Sequence, residues 1–276
     1  MSCQTDQQWH QKTWGVSIMD FELKGKKAIV SAGGSGIGRS IVDEFINQGV
    51  LVSTCDIDAG LVEEIQIKYP EIHAEVVDVG DEKTVKEFCS KSIDALGGVD
   101  CLVNNAGVAG PTLPIEEIGS EDWANCLNIC LNSQFYFIKS CLKYLRESSS
   151  ASIVNLSSAA GQYGFAFRTP YASAKWGVIG LTKSLSIELG KDKIRVNAIL
   201  PGLVAGDRQN NVLRNKAQRL GKSFSEVEQE AFSFTSIKEY VDAQDIANQV
   251  MYLASDAGMH VSGQAIAIDC DTKMLL

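Results

Sequence analysis

In the stretch YASAKWG (171–177) a phenol, Tyr171, stands four residues before an ammonium, Lys175. Helical i,i+4 spacing puts both on one face. A solvent-facing pair would show the same spacing, so the rest of the chain must decide between the two readings. A phenol is a poor acid–base group at neutral pH, with a reference pKa of about 10. A cation fixed nearby stabilises the phenolate and pulls that value down. Lys175 either lies beside the ring or is aimed at a ribose next to it. Ser158, in NLSSAAG (155–161), leaves a neighbouring strand and could donate a hydrogen bond to a developing alkoxide. An orienting hydroxyl, a proton-transferring phenol and a tuning lysine suit carbonyl/alcohol interconversion, with hydride chemistry left to a nicotinamide.

These groups need elements to hold them. Apolar runs at KKAIVSA (26–32), VLVSTCD (50–56), IHAEVVDV (72–79), DCLVNNAG (100–107), ASIVNLSS (151–158), IRVNAILPG (194–202) and GQAIAID (263–269) read as strands. Between them, 39–48, 59–69, 82–96, 121–147 (with an interruption), 170–189 and 243–254 read as helices; Pro70, the pair Gly97-Gly98 and Pro201-Gly202 punctuate ends. Short continuous apolar strands separated by helices indicate a parallel sheet covered on both faces. The expected fold is α/β: a single Rossmann-like, doubly wound domain over 21–272 with a seven-stranded parallel sheet. Residues 203–240 are polar and irregular in pitch, and are expected to form a loop excursion serving as a substrate flap. Residues 1–20 read as a polar extension that is neither signal peptide nor anchor, and 273–276 as a tail.

Ligands of open α/β sheets sit beyond the carboxyl ends of the strands. SAGGSGIG (31–38) follows the first strand and opens a helix, so its backbone could approach a pyrophosphate at a positive helix end. Ser31, Gly33, Ser35, Gly36, Ile37 and Gly38 are the candidates there. Asp56 closes the second strand, with Ile57 after it; a carboxylate in that place accepts from ribose hydroxyls and repels a 2′-phosphate. Ser35, before Gly36, supplies no compensating positive charge, so NAD is favoured over NADP. Asp78, followed by Val79, could accept from an adenine amino group or could make a turn. Asn104, Ala106, Gly107, Pro201, Gly202 and Val204 complete the cofactor floor, together with Tyr171 and Lys175.

The ordered set is similar to the short-chain dehydrogenase/reductase family from about Phe21 to Asp271. YASAK resembles its YxxxK core, Ser158 its serine thirteen residues earlier, and NNAG (104–107) and PG (201–202) two further motifs. The resemblance implies an NAD(P)-dependent oxidoreductase with Tyr171 as acid–base residue. Lys175 would hold the ribose and lower the tyrosine pKa, and Ser158 would orient the carbonyl. It also implies a homotetramer or homodimer, with the Tyr-bearing helix and the long helix before it at one interface. Four departures stand out. Ala32 replaces the first glycine of TGxxxGIG, tolerable if that residue keeps a negative φ. DCDT (269–272) replaces the frequent DGG, and Gly206 stands where a Thr usually follows PG. Most consequential, Cys130 occupies the position of an asparagine thought to hold a water linking the lysine to solvent. Cysteine is a weaker donor and acceptor, so Asn132, other neighbours of the lysine or bare water must take over.

The substrate side falls to 159–170 and the excursion. Arg168, three residues before Tyr171, and Arg208 are the expected contacts; an arginine fork could hold a carboxylate in bidentate form. The expected substrate is therefore a small, anionic hydroxy acid or sugar-acid-like molecule. The alternatives are an uncharged alcohol or diol, or a nucleotide-binding regulatory protein impaired by the Cys130 change. A net charge of −9 argues against nucleic acid and acidic lipid surfaces as partners. Eight cysteines are too sparse for a disulfide scaffold in 276 residues. Cys126 and Cys130 lack the CxxC pair or histidine that would complete a zinc site, so no metal is expected. With no apolar run long enough to cross a bilayer, the cytoplasm or another reducing compartment is the expected setting.

Overall fold

The computed structural model describes residues 21–275; the expected extension 1–20 lies outside them. Seven runs form strands: β1 (Lys27–Ser31), β2 (Leu51–Asp56), β3 (His73–Val76), β4 (Cys101–Asn104), β5 (Ser152–Leu156), β6 (Arg195–Pro201) and β7 (Ala265–Ile268). They pair in parallel in the order β3-β2-β1-β4-β5-β6-β7. β4, β5 and β6 are buried along their whole length, whereas the edge strands β3 and β7 are only partly covered. Continuous apolar runs in the middle and mixed ones at the rims are what a sheet layered on both faces demands.

The helices are α1 (Gly36–Asn47), α2 (Ala59–Lys68), α3 (Glu82–Leu96), α4 (Ser120–Leu127), α5 (Ser133–Leu145), α6 (Thr169–Glu188), α7 (Asp207–Leu220), α8 (Phe224–Ser233) and α9 (Ala243–Ala254). One core joins Ile41, Val42 and Phe45 of α1 to Ile246, Val250 and Met251 of α9 across Val30, Val103 and Val154. The other joins Val85, Phe88 and Ile93 of α3 to Phe137, Ile138 and Leu145 of α5 beneath Ile29, Leu102 and Ile153. Helix starts follow local chemistry. The Asp58 carboxylate accepts from the Gly60 and Leu61 amides, and that of Asp81 from the Lys83 amide. Gly97, at φ 68°, closes α3 in the left-handed region that suits glycine.

The interruption expected in the long helix over 121–147 is one π turn, Asn128–Asn132, between α4 and α5, and Cys130 is buried within it. Two elements depart from the sequence reading. β3 ends at Val76, earlier than 79, because the Asp78 side chain turns back to accept from the Gly80 amide. The excursion 203–240 is a helix pair, α7 and α8, with its own small core of Leu213, Ala217 and Val227. Among the described residues no helix is long and apolar enough to cross a membrane.

Candidate active site

All seven parallel strands end on one rim, and β1 and β4 part there, where the chain order reverses. The glycine turn lies at that point. A side chain on Gly33 would strike Thr54 Oγ1 at 2.1 Å, and one on Gly38 the Ala32 carbonyl oxygen at 2.0 Å. Gly36 differs: at φ 52° it faces open space, and the preceding Ser35 leaves the start of α1 without a side-chain cap. The first amides of α1 thus have no side-chain cap and border open space, the donor set a pyrophosphate requires. Asp56 closes β2 beside it, buried, with its carboxylate accepting from the Gly34 amide at 3.0 Å and the Asp58 amide at 3.2 Å. Nearby Arg39 is committed to Asp43 at 2.8 Å. Ile57 is exposed at this edge. The described residues therefore fit a dinucleotide, with its phosphates at α1 and a ribose at Asp56.

Other expected cofactor residues turn inward. Ser31 Oγ accepts from the Asn105 and Ala106 amides, knitting β1 to the exit of β4. Asn104 donates to Asn155 Oδ1, which keeps its amide between the strands. Asp78 makes the turn after β3, and Val79 and Ile37 pack against the two cores. Pro201 and Gly202 hold β6 against β7, the Gly202 amide donating to the Ile268 carbonyl. Val204 bridges to Val241 at the foot of the excursion.

The reacting end is built on α6. Pro170 sits in its first turn, where a missing N–H costs nothing, and Tyr171 follows. One turn later Lys175 is buried, its Nζ donating to the Leu156 carbonyl at 2.7 Å. Ser157 pins the helix by donating to the Lys175 carbonyl at 2.8 Å. Ser158, the next residue, accepts from the Ala160 amide and lies within hydrogen-bonding reach of the Tyr171 hydroxyl. Lys175 Nζ lies 5.7 Å from the centre of the Tyr171 ring, the Arg168 guanidinium 4.9 Å and the Arg208 guanidinium 5.9 Å. Burial opposes ionisation of the phenol, but Lys175, Arg208 and the Ser158 hydrogen bond outweigh it, so its pKa lies below the ordinary value.

Both expected substrate arginines reach the site. Arg168 is 3% exposed, donates to the Ala109 carbonyl, stacks on Phe165 as well as Tyr171, and leaves its Nε without a partner. Arg208, exposed at the start of α7, donates to the Gly107 carbonyl at 3.2 Å. Neither arginine, nor Lys175, meets a carboxylate among the described residues. Asn132 does not take the place of the missing asparagine: it is exposed and donates to Asn128. Gln134 does approach, a residue that sequence reasoning passed over. Buried on α5, its Nε2 donates to the carbonyls of Cys130 and Leu156, the latter shared with Lys175. Only its place two residues past the π turn could have drawn notice. No cluster of metal-ligating side chains occurs among the described residues.

A doubly wound parallel sheet with a glycine turn, an acidic strand end and a serine–tyrosine–lysine group at one rim defines a nicotinamide-dependent oxidoreductase. Comparison with known proteins gives the family. Residues 31–270 match the family model described as enoyl-(acyl carrier protein) reductase. The chain is 32% identical over 251 residues to the 3-oxoacyl-(acyl-carrier-protein) reductase FabG of Thermotoga maritima, covering 90% of this chain and 97% of that one. It is 31% identical over 253 residues to the protein named "Probable galactose dehydrogenase GalD" of Rhizobium meliloti, covering 90% and 95%. A crystal structure of NAD+-bound xylitol dehydrogenase superposes with a TM-score of 0.85 at 25% identity, covering 90% and 98%. The chain belongs to the short-chain dehydrogenase/reductase family.

Proposed function

We propose that this protein uses NAD to interconvert a secondary alcohol and a ketone, on a hydroxy acid or sugar-acid-like substrate. The observation that carries the reading is the Tyr171 phenol, set among Lys175, Arg208 and Ser158 so that its pKa lies below that of an ordinary phenol. In the oxidising direction Tyr171 takes the hydroxyl proton of the alcohol, and Ser158 donates to the oxygen as charge develops on it. Lys175 stabilises the phenolate and so lowers the cost of that proton transfer. A nicotinamide held at this rim would supply the hydride chemistry in either direction. NAD rather than NADP follows from the Asp56 carboxylate and from the engagement of Arg39 with Asp43.

The acid preference rests on Arg168 and Arg208, cationic groups beside the phenol with no carboxylate partner in the described chain. A substrate carboxylate would supply one. The names of the relatives, a galactose dehydrogenase and a xylitol dehydrogenase, accord with hydroxyl-to-carbonyl chemistry and favour a polyol frame for the uncharged alternative. Self-association is part of the same reading, since α5 and α6 present exposed Phe135, Trp176 and Ile187.

The test is hydride transfer to NAD, followed by the absorbance of the reduced cofactor, across a panel of hydroxy acids and neutral secondary alcohols. Tyr171→Phe is expected to lower kcat/KM by roughly 100- to 10,000-fold while NAD binding, measured by calorimetry, persists. A Phe variant that keeps wild-type turnover removes the proposal.

A further inference from the structure

Beyond the arginines lies a cleft to which the chemistry at Tyr171 gives no part. Val212 and Leu213 of α7, Val227 and Ala231 of α8 and Leu275 after β7 wall it. Phe165 and Leu203 line it too, and both belong to the reacting end. Phe165 stacks on the Arg168 guanidinium, whose position is also over the Tyr171 ring. Leu203 follows Gly202 at the exit of β6. The cleft is therefore continuous with the place where the substrate must react. On the α7 side its lining residues are 209, 212, 213 and 216, the i, i+3, i+4, i+7 spacing of a single helix face. That face begins one residue after Arg208, which stands over the phenol.

The chemistry of this lining selects its occupant. Its two hydroxyls already donate to the backbone, Thr235 to the Phe232 and Ile237 carbonyls and Thr272 to that of Asp269. The hydroxyls of a polyol would find few acceptors there, and burying them unpaired is costly. The cleft spans about 460 Å3, most of it too tight for the centre of a water molecule. An unbranched methylene chain suits so narrow and apolar a slot. Lys216 is half-buried at the far end of the α7 face. A lysine lays its stem along apolar surface and keeps its charge in water, so the apolar stretch stops there. From Arg208 to Lys216 the helix rises roughly 12 Å.

We propose that the substrate is a hydroxy acid with an unbranched apolar chain, its carboxylate on Arg208 and its chain along the inner face of α7. Val212 and Ala231 grip the chain from the two helices, and Lys216 sets how long it can be. This chooses the chain-bearing acid over the sugar-acid-like one. The placing of the carboxylate rests on the function proposed above; the cleft and the chain in it do not.

The experiment needs no turnover. The full chain is titrated calorimetrically with straight-chain carboxylates of rising length, from butyrate to decanoate. Affinity is expected to rise about fourfold with each methylene, the value of burying that group, and to level off once the chain reaches Lys216. A series without a rise overturns the proposal. Ala231→Trp, which fills the cleft, should flatten the rise; an unchanged slope overturns the proposal, because the chain is then buried elsewhere. Val212→Phe makes the same test should Ala231→Trp not fold. Lys216→Met puts an apolar end in place of a charged one and should carry the rise on to longer chains. A plateau at the wild-type length removes Lys216 as the residue that sets it. Arg208→Gln should weaken every member by roughly tenfold, and no weakening overturns the placing of the carboxylate. Binding that follows chain length in a protein that transfers no hydride upholds the cleft while removing the proposed function. Hydride transfer to short hydroxy acids with no gain from a longer chain does the reverse.

Discussion

Tyr171 and Lys175 were legible because their chemistry depends on a local spacing that one helix preserves. Ser158 was legible because it follows a buried strand whose end must meet that helix. Arg168 and Arg208 could be named but not placed. The packing of 163–168 on the loop after β4, where the Phe167 carbonyl accepts from the Leu113 amide, sets Arg168, and the start of α7 brings Arg208 onto the Gly107 carbonyl. The partner of Cys130 could not be read at all, since a π turn leaves no mark in hydropathy. At this scale the acid preference can be tested directly. Arg208→Gln should raise KM for a hydroxy acid by roughly ten- to a hundredfold, the value of a charge-assisted hydrogen bond, and leave KM for a neutral diol nearly unchanged. Steady-state kinetics on both substrate types check this. An equal penalty on the two would point to a structural role for Arg208. The glutamine keeps a donor for the Gly107 carbonyl, which is why it is preferred to alanine.

Among the elements, α3 was read to the residue, because Asp81 caps its start and Gly97 ends it. The excursion was read as helical only in places and as a loop overall, whereas it forms two helices. Their apolar residues, Leu213, Ala217 and Val227, face each other across two short helices and never the sheet, so no long amphipathic stripe appears. The turns carry a different surprise. Ala32 lies at φ 53°, Cys270 at 57° and Asp271 at 54°, all in the left-handed region. The condition on which the Ala32 methyl would be tolerated, a negative φ, is thus not met: the backbone here is one that favours glycine, at a position that carries alanine. Holding alanine there costs about 1–2 kcal/mol, and glycine gives back roughly 0.4–1 kcal/mol through the greater freedom of its unfolded chain. Strain wins by a modest margin. Ala32→Gly should therefore raise stability by about 0.5–1 kcal/mol, read as a higher midpoint in urea at unchanged slope. A lower midpoint would mean that the methyl group makes contacts worth more than the strain.

For the molecule as a whole, the doubly wound sheet followed from the alternation of apolar strands and helices, and the position of the crevice followed from the sheet. Assembly did not follow from periodicity. Phe135 is 47% exposed on α5 and Trp176 is 52% exposed on α6, both aromatic and both on helices that the family resemblance places at an interface. Sedimentation should find wild type as a dimer or tetramer, and the double variant Phe135→Glu/Trp176→Glu as a smaller species. A monomeric wild type would leave these side chains as isolated surface aromatics.

The helix pair over the crevice has one more implication. It carries its own small core and is tied to the body by a bridge from Val204 to Val241 and another from Thr235 to Thr272. Arg208 and Arg219 fasten it further, to the Gly107 and Thr112 carbonyls. On the proposed function, exchanging residues of its inner face would change which molecules are admitted, while Arg208 must stay because it also serves the Tyr171 phenol. A laboratory wishing to retarget this chain would vary the pair around that fixed arginine.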